Sequence, residues 1–536
     1  MTTSAYRSNH ARDMSQLSPI AEMLITATDI TEKKTYAENV SVNPVVAEVA
    51  SWYEKLRNAM IYKEDEVILR TAIERILNRR LLLGGNTGEA VARPLVRELV
   101  WARYFPDSSV PETLVKKVEL SIDLHLHLQR LILHYHNYNP SSVYEWILQL
   151  LSSDIENILS LKKDRELLSN FMFQILKSNV SIIDDLEETK DAQVFISIRR
   201  AFAKEDLALL RYHLFVQFFG PLSEINVEKV AQVFVKLVKK IDGQIKYTLK
   251  ERIYSYVKNQ NAPFFILEDL IKQYRGELRE LVLDKDRFEA AVLAACANRY
   301  KDILSKVSRA IFRSVIFIFI TKVFFALVLE STFENLIFGS ISWSAIAINT
   351  LMSPLLMIIA SLFIRTPDKD NSKRILEMVN ELMFEADPHL TEPLTLAVRP
   401  KNSRPWLLFI FGLLWFFALV LGVLGINTFL SVLHFNVLSK IIFILFLMIV
   451  SFLSYRINQT ARMYTVKQDK ESFISVLFDF FLMPFIWIGK QLTLGMSQIN
   501  IMLFIFDFLI ETPFKSLFAF FEHWFLYLKT QRETLD

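Results

Sequence analysis

The sequence predicts an all-α protein: an N-terminal soluble helical domain, an α-helical transmembrane region of two hairpins and four spans, and C-terminal amphipathic helices lying in the membrane plane. Three observations carry this. Four apolar runs, at residues 311–329, 345–364, 406–424 and 437–453, each approach the roughly 20 residues a helix needs to cross about 30 Å of hydrocarbon. The connections inside each pair, STFENLIFGSISWS (331–344) and GINTFLSVLHFN (425–436), contain no Lys or Arg, whereas Lys306, Arg309, Arg365, Lys373, Arg404, Arg456 and Arg462 flank the opposite ends. Ahead of residue 311 the apolar spacing is helical, with almost no strand signal. The run 406–424 carries no charge, which argues against buried helices of a large soluble protein. Because cytoplasmic loops carry the Lys/Arg excess, both termini and residues 365–404 are expected in the cytoplasm and the two short loops outside.

Composition agrees: 52% of the 536 residues are hydrophobic and the mean hydropathy is +0.27. A formal net charge of +3 is too small to point to nucleic acid. The basic residues that matter lie beside the spans, where they suit anionic lipid head groups. The single cysteine, Cys296, excludes an intrachain disulfide and a Cys-based metal site, and its neighbours AAVLAACANRY mark a helix-packing position. Residues 1–23 hold no apolar core long enough for a secretory signal, so the first span is expected to direct insertion.

Residues 1–42 are polar without sustained period and read as disordered; 43–310 read as the cytoplasmic helical domain. Asn43-Pro44 opens its first helix, and Gly84 closes one running from 65 to 83. Gly84, Gly85 and Gly88 form a loop that suits phosphate. It lacks the Lys-Ser/Thr pair of a nucleotide loop, and Asn86 with Glu89 makes an ordinary helix cap. Asp123, His125, His127, His134 and His136 cluster in SIDLHLHLQRLILHYH. On a strand the first three share a face and suit a metal; on a helix His127 and His134 align while His125 and His127 diverge, and the helical surroundings favour the helix. Gly220-Pro221 punctuates the chain, a long Lys-rich helix is expected over 227–257, and the helix opened by Leu283-Asp284 has no breaker before the first span.

In hairpin 1 (311–364), Lys322 sits near mid-span, with Asn349 and Ser353 as candidate neighbours. An intramembrane lysine either lines an ion path or pairs structurally and snorkels. Pro354 is expected to bend its helix. The linker 365–405 carries an amphipathic helix, NSKRILEMVNELMFEA, followed by four spaced prolines; it needs the soluble domain, the membrane surface or a second copy to dock on. After hairpin 2 (406–454), residues 455–536 hold two apolar stretches, 472–489 and 499–528. In the second, Asn500, Asp507, Glu511, Lys515, Glu522 and Lys529 form one narrow stripe opposite Phe, Ile, Leu and Trp, the pattern of an interfacial helix.

The phrase SQINIMLFIFDFLIETPFKSLFAFFEHWF (497–525), with AINTLMSPLLM (347–357), resembles uncharacterised multi-pass membrane proteins of candidate-phyla bacteria. The resemblance covers the C-terminal part and implies a bacterial plasma membrane and no known activity.

No Ser-His-Asp series, Walker loop, HExxH, EF-hand or CxxC is present. The expectation is therefore a non-enzymatic membrane scaffold or adaptor without cofactor, presenting its helical domain to protein partners or to copies of itself. The alternative is an oligomeric channel or transporter using Lys322 and Asn349.

Overall fold

The computed structural model describes residues 17–29, 39–60, 67–159, 163–364, 366–385, 387–388, 393–397, 405–432, 435–466 and 473–498, and scattered positions between 517 and 531. The helical domain contains α1 (Pro19–Asp29), α2 (Pro44–Met60), α3 (Ile68–Leu82), α4 (Gly88–Trp101), α5 (Glu112–Tyr135), α6 (Pro140–Leu159) and α7 (Lys163–Leu176). After strand β1 (Val180–Ile183) come α8 (Glu187–Ala201), α9 (Leu207–Phe219), α10 (Val227–Ile245), α11 (Lys250–Asn259), α12 (Asn261–Gln273) and α13 (Leu278–Leu283). Next are α14 (Lys285–Phe325), a π-helical turn (Ala326–Glu330), α15 (Ser331–Phe338) and α16 (Trp343–Ser361). The chain continues with α17 (Lys369–Phe384), β2 (Leu394–Ala397), α18 (Pro405–Val432), α19 (Val437–Ala461) and α20 (Phe473–Gln498). Among the described residues, four helical stretches are long and apolar enough to cross a membrane: Lys285–Ile337, Trp343–Ser361, Phe409–Val432 and Val437–Ala461.

Three large apolar cores and two small clusters organise the described residues. One gathers α3 to α6 around Ile73, Leu95, Val118 and Ile155. A second joins α5, α6, α9 and α10 around Leu128, Leu150, Phe215 and Phe234. The third begins at Ala21 and Ile25 of α1 and passes through Phe264, Phe288 and Ile303. It continues without a break to Ile318, Met357, Ile442 and Phe446 of the membrane helices. Helix α14 makes this continuity possible: Asp284 caps it, accepting from the Arg287 N–H at 3.1 Å, and no breaker interrupts the helix before the spans.

A polar seam runs beside that core where domain meets spans. Arg299 of α14 donates to Asp269 of α12 (2.6 Å) and to the Tyr464 hydroxyl after α19 (2.7 Å). Asn371 of α17 donates to the Tyr300 hydroxyl and the Tyr464 carbonyl, and accepts from the Val466 N–H, at 2.7–2.8 Å. The inter-hairpin helix α17 packs against the helical domain: Ile375, Val379, Leu382 and Met383 are buried in the third core, beside α1, α12 and α14.

Two expectations change. Residues 19–29 are helical rather than disordered, because Ala21, Leu24, Ile25 and Thr28 make one buried stripe that the Met383 carbonyl anchors through the Ser18 N–H. The helix expected over 227–257 breaks into α10 and α11, since Val230, Phe234 and Ile241 enter one core while Leu249, Ile253 and Val257 enter another. Strands β1 and β2 pair in parallel, Val180 opposite Leu394 through Ile183 opposite Ala397, tying the proline-spaced linker to the domain.

Candidate functional site

The histidines do not converge. Helix α5 buries His125, whose Nδ1 lies 2.8 Å from the Ser121 carbonyl, while His127 and His134 are exposed. His136 Nε2 lies 3.0 Å from the Ala231 carbonyl, and Asp123 accepts from the Gly88 N–H at 2.7 Å. Among the described residues no group of three or more His, Cys, Asp or Glu could hold a metal ion, because the strand register that would align them is absent. Burial pushes the His125 imidazole below its ordinary range, against the pull of Asp154 and the Ser121 carbonyl. The glycine loop changes too. Thr87 rather than Asn86 caps α4, accepting from the Ala90 N–H, and the Asp123 carboxylate occupies the N–H that a phosphate would need. The stripe Asn500, Asp507, Glu511, Lys515, Glu522 and Lys529 lies outside the described residues.

The polar cluster with unusual chemistry lies between the membrane helices. Lys322 of α14 is fully buried; its Nζ is 3.3 Å from Glu330 Oε1 and 5.1 Å from the centre of the Phe446 ring. Glu330 also accepts from Asn349 Nδ2 at 2.9 and 3.0 Å and from Ser439 Oγ at 3.1 Å. One turn on, Glu334 accepts from the Ser342 N–H and from Asn436 Nδ2, both at 2.7 Å. Asn436 also caps α19 through the Ser439 N–H. The cluster thus joins α14, α15, α16 and α19 with two carboxylates and one ammonium.

The backbone creates this meeting. Eight residues along a regular helix turn through about 80° beyond whole turns, which would swing Glu330 off the face of Lys322. The π-helical turn absorbs one extra residue and returns Glu330 to within about 20° of it. Helix α16 adds unused oxygens: Asn349 Oδ1, Thr350 Oγ1 and Ser353 Oγ are buried and have no hydrogen-bond partner among the described residues. Pro354, inside α16, removes the N–H that would otherwise serve the Thr350 carbonyl.

Of the residues singled out from sequence, Lys322 and Asn349 therefore meet, but through Glu330; Ser353 lies one turn further along α16 and is buried without a bond. Glu330, Glu334 and Ser439 belong to no pattern that the sequence marks as a site. The available signal was a pair of carboxylates directly after an apolar run, which reads as the start of a loop.

Helix α20 belongs to the surroundings of the site. Its apolar face, expected in lipid, partly covers the second hairpin instead: Phe485 packs on Gly422, Gly489 fits against the Met448 carbonyl, and Trp487 meets Trp415 edge-on. Gly422 and Met448 lie within the candidate spans Phe409–Val432 and Val437–Ala461, so α20 packs alongside both helices of the second hairpin. Comparison with known proteins finds no family model, no curated protein and no solved structure that matches this chain.

Proposed function

We propose that this chain is a non-enzymatic membrane scaffold or adaptor, held in a plasma membrane with both termini cytoplasmic, that presents its helical domain to protein partners or to other copies of itself. One observation carries the reading: the apolar core that starts in the helical domain continues through α14 into the spans. A domain joined to its membrane helices by a shared core, a polar seam and a strand pair keeps a fixed stance toward the bilayer, as an adaptor requires. The paired, buried Lys322 fits the same reading, since Glu330 neutralises it inside the bundle.

The second reading, an oligomeric channel or transporter, is favoured by the three unused oxygens beside that pair. Native mass spectrometry of the full chain in nanodiscs, with ion flux in proteoliposomes, separates the two. The scaffold reading expects a monomer or dimer without flux; a ring of four or more copies that conducts would overturn it. Orientation has its own test. A cysteine at Ser340, between α15 and α16, should react with an impermeant thiol reagent from outside and one at Ser372 should not, and the reverse pattern refutes the topology.

A further inference from the structure

We propose that the cleft between α12 and α14, where the helical domain meets the spans, holds the headgroup of one anionic phospholipid whose phosphodiester carries free hydroxyls. Lys306, Arg309 and Arg313 take the phosphate and Asp302 takes the hydroxyls. The proposal needs the spans but not the adaptor role, and it is independent of which side of the bilayer the domain faces.

The cavity comes first. Asp269 and Lys272 of α12, Asn298, Asp302 and Lys306 of α14, and Tyr464 just past α19 line a cleft of about 400 Å³, with the buried Ile303 in its wall. That volume lies in the range of small-molecule sites. Its position is the edge of the membrane region. Tyr464 follows directly on the span Val437–Ala461. Lys306 stands five residues before Ile311, where the apolar run of α14 begins, or about 7 Å along the helix. The polar layer on each side of the hydrocarbon is about 5–8 Å deep, so this end of the cleft lies at headgroup depth.

Charge then selects the ligand. The inner ions of the wall are already matched: Arg299 donates to Asp269 and to the Tyr464 hydroxyl and lies against the Tyr464 ring, and Lys272 donates to Glu268 at 2.7 Å. Asp302, Lys306, Arg309 and Arg313, by contrast, are exposed and make no ion pair among the described residues. Spaced by four, three and four residues, they fall within about 60° on α14, so the cleft and the basic stripe share one helix face. Three cations against one carboxylate favour a head with net negative charge over a zwitterionic ethanolamine head. The two guanidinium forks suit phosphate oxygens. Asp302 repels a phosphate but accepts from hydroxyls, and it lies one turn further from the spans than Lys306. A head with its phosphate toward the bilayer and its hydroxyls toward the domain therefore matches the order of the side chains. Ile316 and Ile320, both exposed, continue the same face of α14 into the apolar run, where an acyl chain attached to that phosphate would lie. This continuity favours a lipid over a soluble phosphate ester.

The test places the full chain in phosphatidylcholine nanodiscs doped with phosphatidylglycerol, phosphatidylethanolamine or phosphatidic acid, and counts the lipids each chain retains by native mass spectrometry. One phosphatidylglycerol should stay bound in preference to phosphatidylethanolamine. Lys306→Ala combined with Arg309→Ala should lower its retention at least tenfold. The same loss of charge on α17, Lys373→Ala with Arg374→Ala, should leave it unchanged. Asp302→Ala should shift the preference toward phosphatidic acid, whose head ends at its phosphate. Glycerol phosphate in solution should not displace the lipid. Equal retention of phosphatidylglycerol and phosphatidylethanolamine, or an equal loss in the α17 pair, reduces the effect to bulk attraction and overturns the proposal, as does an unchanged preference in Asp302→Ala. Displacement by glycerol phosphate assigns the cleft to a soluble phosphate ester and overturns the lipid.

Discussion

Replacing Lys322 by leucine removes the one positive side chain bonded to Glu330 among the described residues, and the size of the loss follows from the geometry. Two unit charges at 3.3 Å attract by roughly 5 kcal/mol at an effective dielectric constant near 20. Part of that is recovered, because Glu330 keeps Asn349 and Ser439 as donors. A net loss of about 3 kcal/mol is expected for Lys322→Leu, and about the same for Glu330→Leu, which strands the ammonium instead. The double replacement removes both charges and leaves only neutral donors unpaired. It should therefore be no less stable than either single variant, a coupling of about 3 kcal/mol. Reversible unfolding in mixed micelles, read by Cys296 accessibility, measures all four corners of the cycle. If the losses simply add, Lys322 and Glu330 do not act as a pair and the reading of the cluster fails.

Two further outcomes follow from the packing. A Cβ at Gly489 would lie 2.1 Å from the Met448 carbonyl and 3.0 Å from Phe452 Cβ, so Gly489→Leu should push α20 off α19 at a cost of about 1–3 kcal/mol. Unchanged unfolding and an unchanged cross-link between α19 and α20 would contradict that seat. His125, buried and held neutral, binds fewer protons folded than unfolded, so its contribution is complete above the ordinary imidazole range and is lost as pH falls through it. The slope below about pH 6.5 is at most about 1.4 kcal/mol per pH unit, and His125→Gln should flatten it in a pH series of denaturant titrations.

What the sequence made legible was what repeats. The four spans announce themselves by length, α17 by the spacing of Ile375, Val379 and Leu382, and α14 by Asp284 at its start and the absence of a breaker. What it hid depends on single residues or distant partners. Four-residue strands such as β1 and β2 carry no pattern of their own and exist only because the fold brings together Ser181 and Thr395, 214 positions apart. The break between α10 and α11 is set by which core each half enters, and no local signal marks that. Glu330 was hidden for a different reason. Periodicity assumes a regular helix, so a carboxylate eight residues from Lys322 reads as facing elsewhere.

That irregularity and the cluster support each other. A π-helical turn weakens local hydrogen bonding, and in an apolar segment nothing favours it over a regular helix unless side chains are better placed as a result. Here they are: the inserted residue sets Glu330 on Lys322, and Glu334, a turn later, inherits the same shift and reaches Asn436 at the start of α19. The ion pair at 3.3 Å and the bonds from Asn349, Ser439 and Asn436 are all gained through this turn and offset its weakened backbone hydrogen bonding. The placement of both carboxylates thus rests on one backbone defect. That defect persists because the carboxylates find partners on α14, α16 and α19, three helices brought together by the same continuous core that joins the bundle to its helical domain.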